Sequence, residues 1–227
     1  MPNYFSSQTF QFLTRLTLNN SREFFEQHKA EYERNVREPA LALIRDFAPR
    51  LRGISRHFVA SDKKVGGSLM RVNRDVRFSA DKSPYKTNVG IQFRHEAGKD
   101  VHAPGLYLHV SPEECFLGSG IWHPEPEVLA LIRERILEKP KAWQKAAFAP
   151  SFREHFELSG DSLKRAPRGI GADHPFVRDL MRKDHIAILS LTERQVVSRN
   201  LPEMMAERLA LSRPYLKFLC AAQGLPF

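Results

Sequence analysis

Over the first fifty residues, apolar side chains recur at intervals of three and four, the spacing that lines one face of a helix. Phe10, Leu13 and Leu16, with Phe12 beside them, predict a first core-facing helix, interrupted at Asn19-Asn20. Asn20 followed three residues later by Glu23 has the form of a capping box and predicts the start of a second helix. Phe24, His28 and Tyr32 share one side of it, Phe25 lies alongside, and its end is expected near Pro39. Ala40, Leu43, Ile44, Phe47 and Leu51 predict a third helix, with Pro39 suited to its first turn.

In the middle of the chain the period drops to two. Met70 and Val72, then Val89, Ile91 and Phe93, then Leu106, Leu108 and Val110 alternate with polar or small residues. Turn-rich stretches at 79–84, 98–104 and 111–114 separate them, and 115–121 reads as a further strand with Gly118 and Gly120 on one side. This is the pattern of an antiparallel meander with one buried face. The helical period returns with Val128, Leu131, Ile132 and Ile136, a stripe ended by Pro140. Residues 143–148 and 152–158 predict short helices, 159–174 an ordered loop, and 186–191 one more strand. Asn200 with Glu203 predicts the cap of a final helix, which Pro214 divides.

The expected fold is therefore α+β: a central antiparallel sheet of roughly four to six strands, with N- and C-terminal helices packed mainly on one face. No internal repeat, low-complexity tract or flexible linker interrupts the pattern, so a single domain over residues 1–227 is expected. The chain is 42% hydrophobic with 16 Phe, enough to fill a core without staples. Its two cysteines, Cys115 and Cys220, fit no metal or redox spacing and point to a reducing, cytoplasmic compartment. The opening Met1-Pro2-Asn3-Tyr4-Phe5 has neither the basic stretch nor the apolar core of a signal peptide. No apolar run is long enough to cross a bilayer, and no membrane association is expected.

Charge narrows the search for a site. Thirty-five Lys and Arg against 26 Asp and Glu give +9, a field that favours phosphorylated molecules, nucleic acid or acidic surfaces. Between Lys63 and Lys86 there are seven basic residues and two acids, Asp75 and Asp81, so this stretch supplies five of the nine net charges. The stretch is interleaved with Leu69, Met70, Val72, Val76, Phe78 and Tyr85, unlike a solvated tail.

Other chemistry is missing from the pattern. There is no phosphate loop, dinucleotide fingerprint or nucleophile elbow. His102, His109, His123 and Cys115 match no ligand frame, so no metal is expected. What remains is the basic hairpin. Arg71, Arg74 and Arg77 offer planar forks for carboxylate or phosphate, and Lys82 and Lys86 add point charges. If Met70 and Val72 face the core, Arg71 and Asn73 face away, on the side shared by Gln92 and Arg94 and by Tyr107 and His109. Gly118 and Gly120 on that side would let a ligand approach the sheet. Arg71, Asn73, Arg74, Arg77, Lys82, Lys86 and Gln92 are the candidate anion-binding residues. If the site is catalytic, His109 is the candidate acid or base and Tyr107 a donor. Against this stands a structural reading, in which the arginines pair with Asp75, Asp81 and nearby acids to lock an irregular hairpin.

The run Arg-x-x-Arg-Asp-x-Arg-Phe-Ser-x-Asp-Lys-Ser-Pro-Tyr-Lys-Thr-Asn at 71–88 resembles the hallmark of a bacterial and fungal family of uncharacterised proteins, domain of unknown function 2461. The similarity extends through Phe12-Leu13, Asn19-Asn20, Gly105 to His109, Phe116 to Gly120 and Asp173-His174-Pro175. The resemblance implies no activity or cofactor, but it draws attention to a second basic loop, Lys164, Arg165 and Arg168, as a possible partner of the first. The leading expectation is a site for a phosphorylated or carboxylated small molecule at 71–88. The alternatives are nucleic-acid binding by the same surface, without a reading motif, and a structural or partner-binding domain.

Overall fold

The computed structural model describes residues 4–98 and 102–227; residues 1–3, and 99–101 of the 98–104 turn, lie outside the described residues. Helix α1 (Ser7–Leu18) buries the expected stripe of Phe10, Phe12, Leu13 and Leu16. The next helical segments are α2 (Arg22–Gln27) and α3 (Lys29–Tyr32), which breaks from α2 at His28, where the ring Nδ1 donates to the Phe24 carbonyl at 2.8 Å. A π turn (Glu33–Arg37) then runs directly into α4 (Glu38–Ile54). The predicted boundary at Pro39 is therefore displaced. Proline lacks only an N–H, and in the first turn of α4 that loss is tolerated.

Strands β1 (Val89–Arg94), β2 (Gly105–Val110) and β3 (Cys115–Ile121) form the expected meander. Helices α5 (Pro126–Glu138), α6 (Pro140–Ala147) and α7 (Pro150–Arg153) follow, then β4 (Glu157–Ser159), α8 (Val177–Leu180) and β5 (His185–Leu191). The chain closes with α9 (Glu193–Val196), α10 (Leu201–Ala210) and α11 (Arg213–Ala222). All neighbours in the sheet are antiparallel, in the order β1-β2-β3-β5-β4.

Three expectations need correction. The predicted helix over 152–158 ends at Arg153, and Leu158 instead lies in β4, buried opposite Ala187. Met70 and Val72 do not form a regular strand. Leu69 bridges Ile91 and takes its core-facing parity, which sends Met70 to the other side, over Gly90. In α5, Ile132 and Ile136 are buried but Leu131 is 43% exposed, so the stripe is narrower than it reads.

Register decides the two faces of the sheet, because residues paired across strands point the same way. Ile91, Leu108, Leu117 and Leu189 lie in one transverse row, and the rows beside it are apolar except for Ser119; all are buried. Helix α4 packs against β1, and α10 and α11 pack against β3, covering this inner face. Phe47 meets Phe93 with ring centroids 4.8 Å apart. Ser119 donates to Ser212 at 2.9 Å, joining β3 to the turn between α10 and α11. Glu203, expected to help cap α10, instead pairs with Arg50 of α4. The buried apolar residues form one cluster, and no helix among the described residues is long and apolar enough to cross a membrane.

His185 is a further exception on the inner face. It is fully buried beside Trp143, neither ring nitrogen has a partner among the described residues, and burial holds its pKa down at about 3. The unfolded chain, with an ordinary histidine near pH 6.5, binds the extra proton first, so this group's contribution is full above pH 6.5 and declines as pH falls toward 3. Urea unfolding should therefore show a loss on the order of 3 kcal/mol between pH 7 and 4 that is missing from His185→Phe. Identical pH slopes for the two proteins would refute this assignment.

Candidate functional site

The hairpin is held by only a few backbone bonds. Arg74 N–H donates to Pro84 O at 2.9 Å and Lys86 N–H to Val72 O at 2.7 Å, around the bridge between Asn73 and Tyr85. Its firmest attachment comes from the break after α1. The Asn20 amide donates to Tyr85 O at 2.9 Å and accepts from Tyr85 N–H at 3.0 Å, taking the place of a strand partner. The expected cap of α2 is therefore made by Ser21, whose hydroxyl accepts from Phe24 N–H at 3.2 Å. Tyr85 itself is buried and stacks on Phe25 at 4.2 Å.

This attachment creates a cleft in two connected parts. One, about 300 Å³, is lined by Asn20, Arg74, Asp81, Ser83, Lys86 and their neighbours. The other, about 400 Å³, is lined by Thr14 and Leu18 of α1, His109 of β2, and Ser111 to Glu114 of the β2–β3 turn. Thr17, Thr87 and Asn88 line both.

Within this frame the predicted residues separate. Arg74 reaches the cleft but pairs with Asp81, whose carboxyl is held well below its ordinary range by Arg74 and by the Ser83 hydroxyl and N–H. Arg77 grips Asp75 through two bonds, Nε at 2.9 Å and an Nη at 2.7 Å, and the Asp75 pKa falls to about 2. Lys82 donates to Val76 O at 3.0 Å. These three cations brace the hairpin. Arg71 and Asn73 are exposed beside it, flanking Val72, which packs against the core. Lys86 is different: it is half-buried in the cleft, makes no ion pair among the described residues, and burial, then Arg71, push its pKa down.

The outer face of the sheet carries Gln92, Arg94, Tyr107 and His109, as expected from alternation. It is not open, however. Tyr107 lies flat across its neighbours: a Cβ at Gly90 would come within 2.6 Å of the Tyr107 hydroxyl, and one at Gly118 within 3.3 Å of its Cβ. The glycine there makes room for a tyrosine rather than a ligand. Gly120, at φ +132, brings β3 so close to β5 that an added Cβ would sit 2.0 Å from the His185 carbonyl oxygen. Arg94 is occupied in bracing loops, donating to Gly66 O at 2.9 Å and Gly98 O at 3.3 Å. Gln92 sits half-buried opposite Tyr107 and does not line the cleft.

His109 does line it. The ring stacks on Phe116 at 4.7 Å and nearly parallel, and its Nδ1 lies 3.4 Å from the Tyr107 hydroxyl and 3.5 Å from the Asn88 amide nitrogen. An amide nitrogen can only donate, so Nδ1 accepts and the proton resides on Nε2. Burial lowers the His109 pKa against the pull of Glu114 and Glu113, which keeps the imidazole neutral at pH 7. Burial also raises the Tyr107 phenol to about 12, so it remains a donor.

Two groupings that the sequence raises are not brought together. Cys115 shares the inner face with Val110 whereas His109 is on the outer face, so the sheet separates them. Among the described residues no group of three or more His, Cys, Asp or Glu is placed to hold a metal ion. The loop bearing Lys164, Arg165 and Arg168 follows β4 at one edge of the sheet, and the hairpin precedes β1 at the opposite edge, with three strands between. The sequence reading missed Thr14, Thr17, Leu18, Glu113 and Glu114 as cleft residues; nothing in their local pattern marks them, since they meet only through tertiary packing.

The chain belongs to the family described as conserved hypothetical protein (DUF2461), whose model matches residues 8–218. No curated protein and no solved structure matches it.

The Asn20 clamp should matter more to stability than the arginines at the hairpin tip. Asn20→Ala removes two hydrogen bonds to one backbone unit and should cost about 1–3 kcal/mol. Arg77→Ala, which opens a solvent-exposed pair, should unfold with the wild type in the same urea titration. Equal loss in both variants would show that the arginine pairs, not Asn20, anchor the segment.

Proposed function

We propose that the cleft beside the 71–88 hairpin binds a small phosphorylated or carboxylated molecule through Lys86. The observation that carries this reading is the state of that lysine. Its ammonium is half-buried, its pKa is lowered by burial, and no carboxylate compensates it among the described residues. An anionic ligand would supply the missing partner and restore the charged form. Around it the Thr87 hydroxyl and the Asn88 amide offer neutral donors, and the neutral imidazole of His109 lines the larger cavity beside Asn88. Arg71, whose charge acts on Lys86, adds long-range attraction at the rim. If the site is catalytic, His109 is the acid or base and Tyr107 the group that orients it. The two buried free thiols, Cys115 and Cys220, support a reducing, cytoplasmic setting.

Thermal melting with phosphate, pyrophosphate and simple carboxylates tests this directly. Wild type and Arg77→Ala should both gain several degrees, and Lys86→Ala should gain none while melting close to wild type without ligand. No shift of the wild type by any of these anions would remove the reading.

A second reading has one observation of its own. Phe78 is 96% exposed at the hairpin tip, with the Arg77 guanidinium 5.9 Å from its ring and Lys82 close in sequence. An aromatic face amid cations is what single-stranded nucleic acid stacks on. Fluorescence anisotropy should then show binding that weakens steeply with salt and drops in Phe78→Ala. Absence of binding at low salt, or Phe78→Ala binding as wild type does, would eliminate this role.

A further inference from the structure

The charges around the cleft are not of one sign. At the hairpin end, Lys86 is the cation left over after Arg74 and Asp81 cancel. At the other end the charged lining consists of Glu113 and Glu114, on the β2–β3 turn, and neither carboxylate makes an ion pair among the described residues. Both act electrostatically on His109, which places them near the imidazole. Between the two ends the walls are neutral: Thr17, Thr87 and Asn88. Lys86 stands two residues from Asn88 along an extended chain, roughly 7 Å. A molecule anionic at both ends would meet Lys86 at one and two carboxylates at the other.

We infer that the ligand of this cleft is bipolar, with a phosphate or carboxylate held at Lys86 and an amino group held by Glu113 and Glu114. The inference rests on the anion-binding reading above and narrows its ligand class. Each end then completes a charge that the protein leaves without a partner. The two carboxylates also exclude molecules with a second anionic group, since like charges facing one another across a narrow cleft repel. The turn that carries the glutamates is well fixed, because Glu114 N–H donates to the Ser111 hydroxyl at 3.1 Å and that hydroxyl returns to Glu114 O at 3.0 Å. Both side chains are exposed, so the ammonium end of the ligand remains in contact with water and contributes a modest share of the affinity.

The test is a matched pair of probes, ethyl phosphate and O-phosphoethanolamine, which differ in the terminal amino group. Titration calorimetry at low ionic strength should show O-phosphoethanolamine bound about two- to fivefold tighter by the wild type, the gain expected of a solvated ion pair. In the double variant Glu113→Gln, Glu114→Gln that preference should vanish while ethyl phosphate binds at least as well as before. Lys86→Ala should lose both probes. If the wild type binds the two equally and Lys86→Ala loses both, the bipolar inference is overturned and the anion-binding reading stands. A preference that survives in the double variant would overturn the assignment to the glutamates. If neither probe binds the wild type, both the inference and the reading beneath it fail.

Discussion

The site depends on how one asparagine side chain satisfies a strand-like segment that has a backbone partner on one side only. Residues 84–86 pair with 72–74 on one side, which leaves the N–H and C=O of Tyr85 facing the end of α1, a costly arrangement in a partly buried place if they stay unpaired. Asn20 removes the problem with a single amide, donating to Tyr85 O and accepting from Tyr85 N–H. Asn20 directly follows Asn19, the C-cap of α1, so the end of a helix and the base of the hairpin are held close together. Tyr85 then turns its ring inward onto Phe25, and the next residues, Lys86 to Asn88, are left facing Thr17 across a gap. The cleft is the space this attachment leaves open.

Net charge and local charge behave differently in this molecule. The hairpin carries a large part of the +9 excess, but its arginines are mostly occupied at short range: Arg77 with an aspartate two residues before it and Arg74 with one seven residues after it. Such exposed pairs contribute little to stability, and they remove the planar forks from service as ligand groups. Lysine 86 escapes this pairing because it lies past the turn, where the chain enters the cleft wall and no acid follows. Burial makes its charge expensive, and that expense is what an incoming anion can relieve.

The outer face of the sheet contributes by being closed. Tyr107 fills the hollows over Gly90 and Gly118, and with Phe116 it forms an apolar floor on which His109 is stacked. A ligand is thereby directed to the end of β2, where the imidazole edge meets the cleft, rather than to the middle of the sheet. The inner face has the opposite task, burying its rows of Leu, Ile, Val and Phe under α4, α10 and α11.

Alternation alone was enough to assign the faces of β1, β2 and β3, because a half-buried sheet imposes a period of two that few other structures share. The helical stripes of α1 and α4 were equally legible, and the arginine-rich run at 71–88 marked the neighbourhood of the site. Parity failed at Met70, where the segment is held by isolated bridges and is free to slip by one residue. Leu158 was read as helical because a short apolar run has no distinguishing period; pairing with β5 made it a strand. Composition could not say which cations were already spoken for, since an Arg two residues from an Asp reads the same whether or not the two touch. Nor could it join Thr17, Lys86, His109 and Glu114, which belong to four separate stretches. Local periodicity is written residue by residue and survives in the sequence. A cleft is a relation between distant segments, and only packing, through a contact as specific as Asn20 on Tyr85, decides which of them meet.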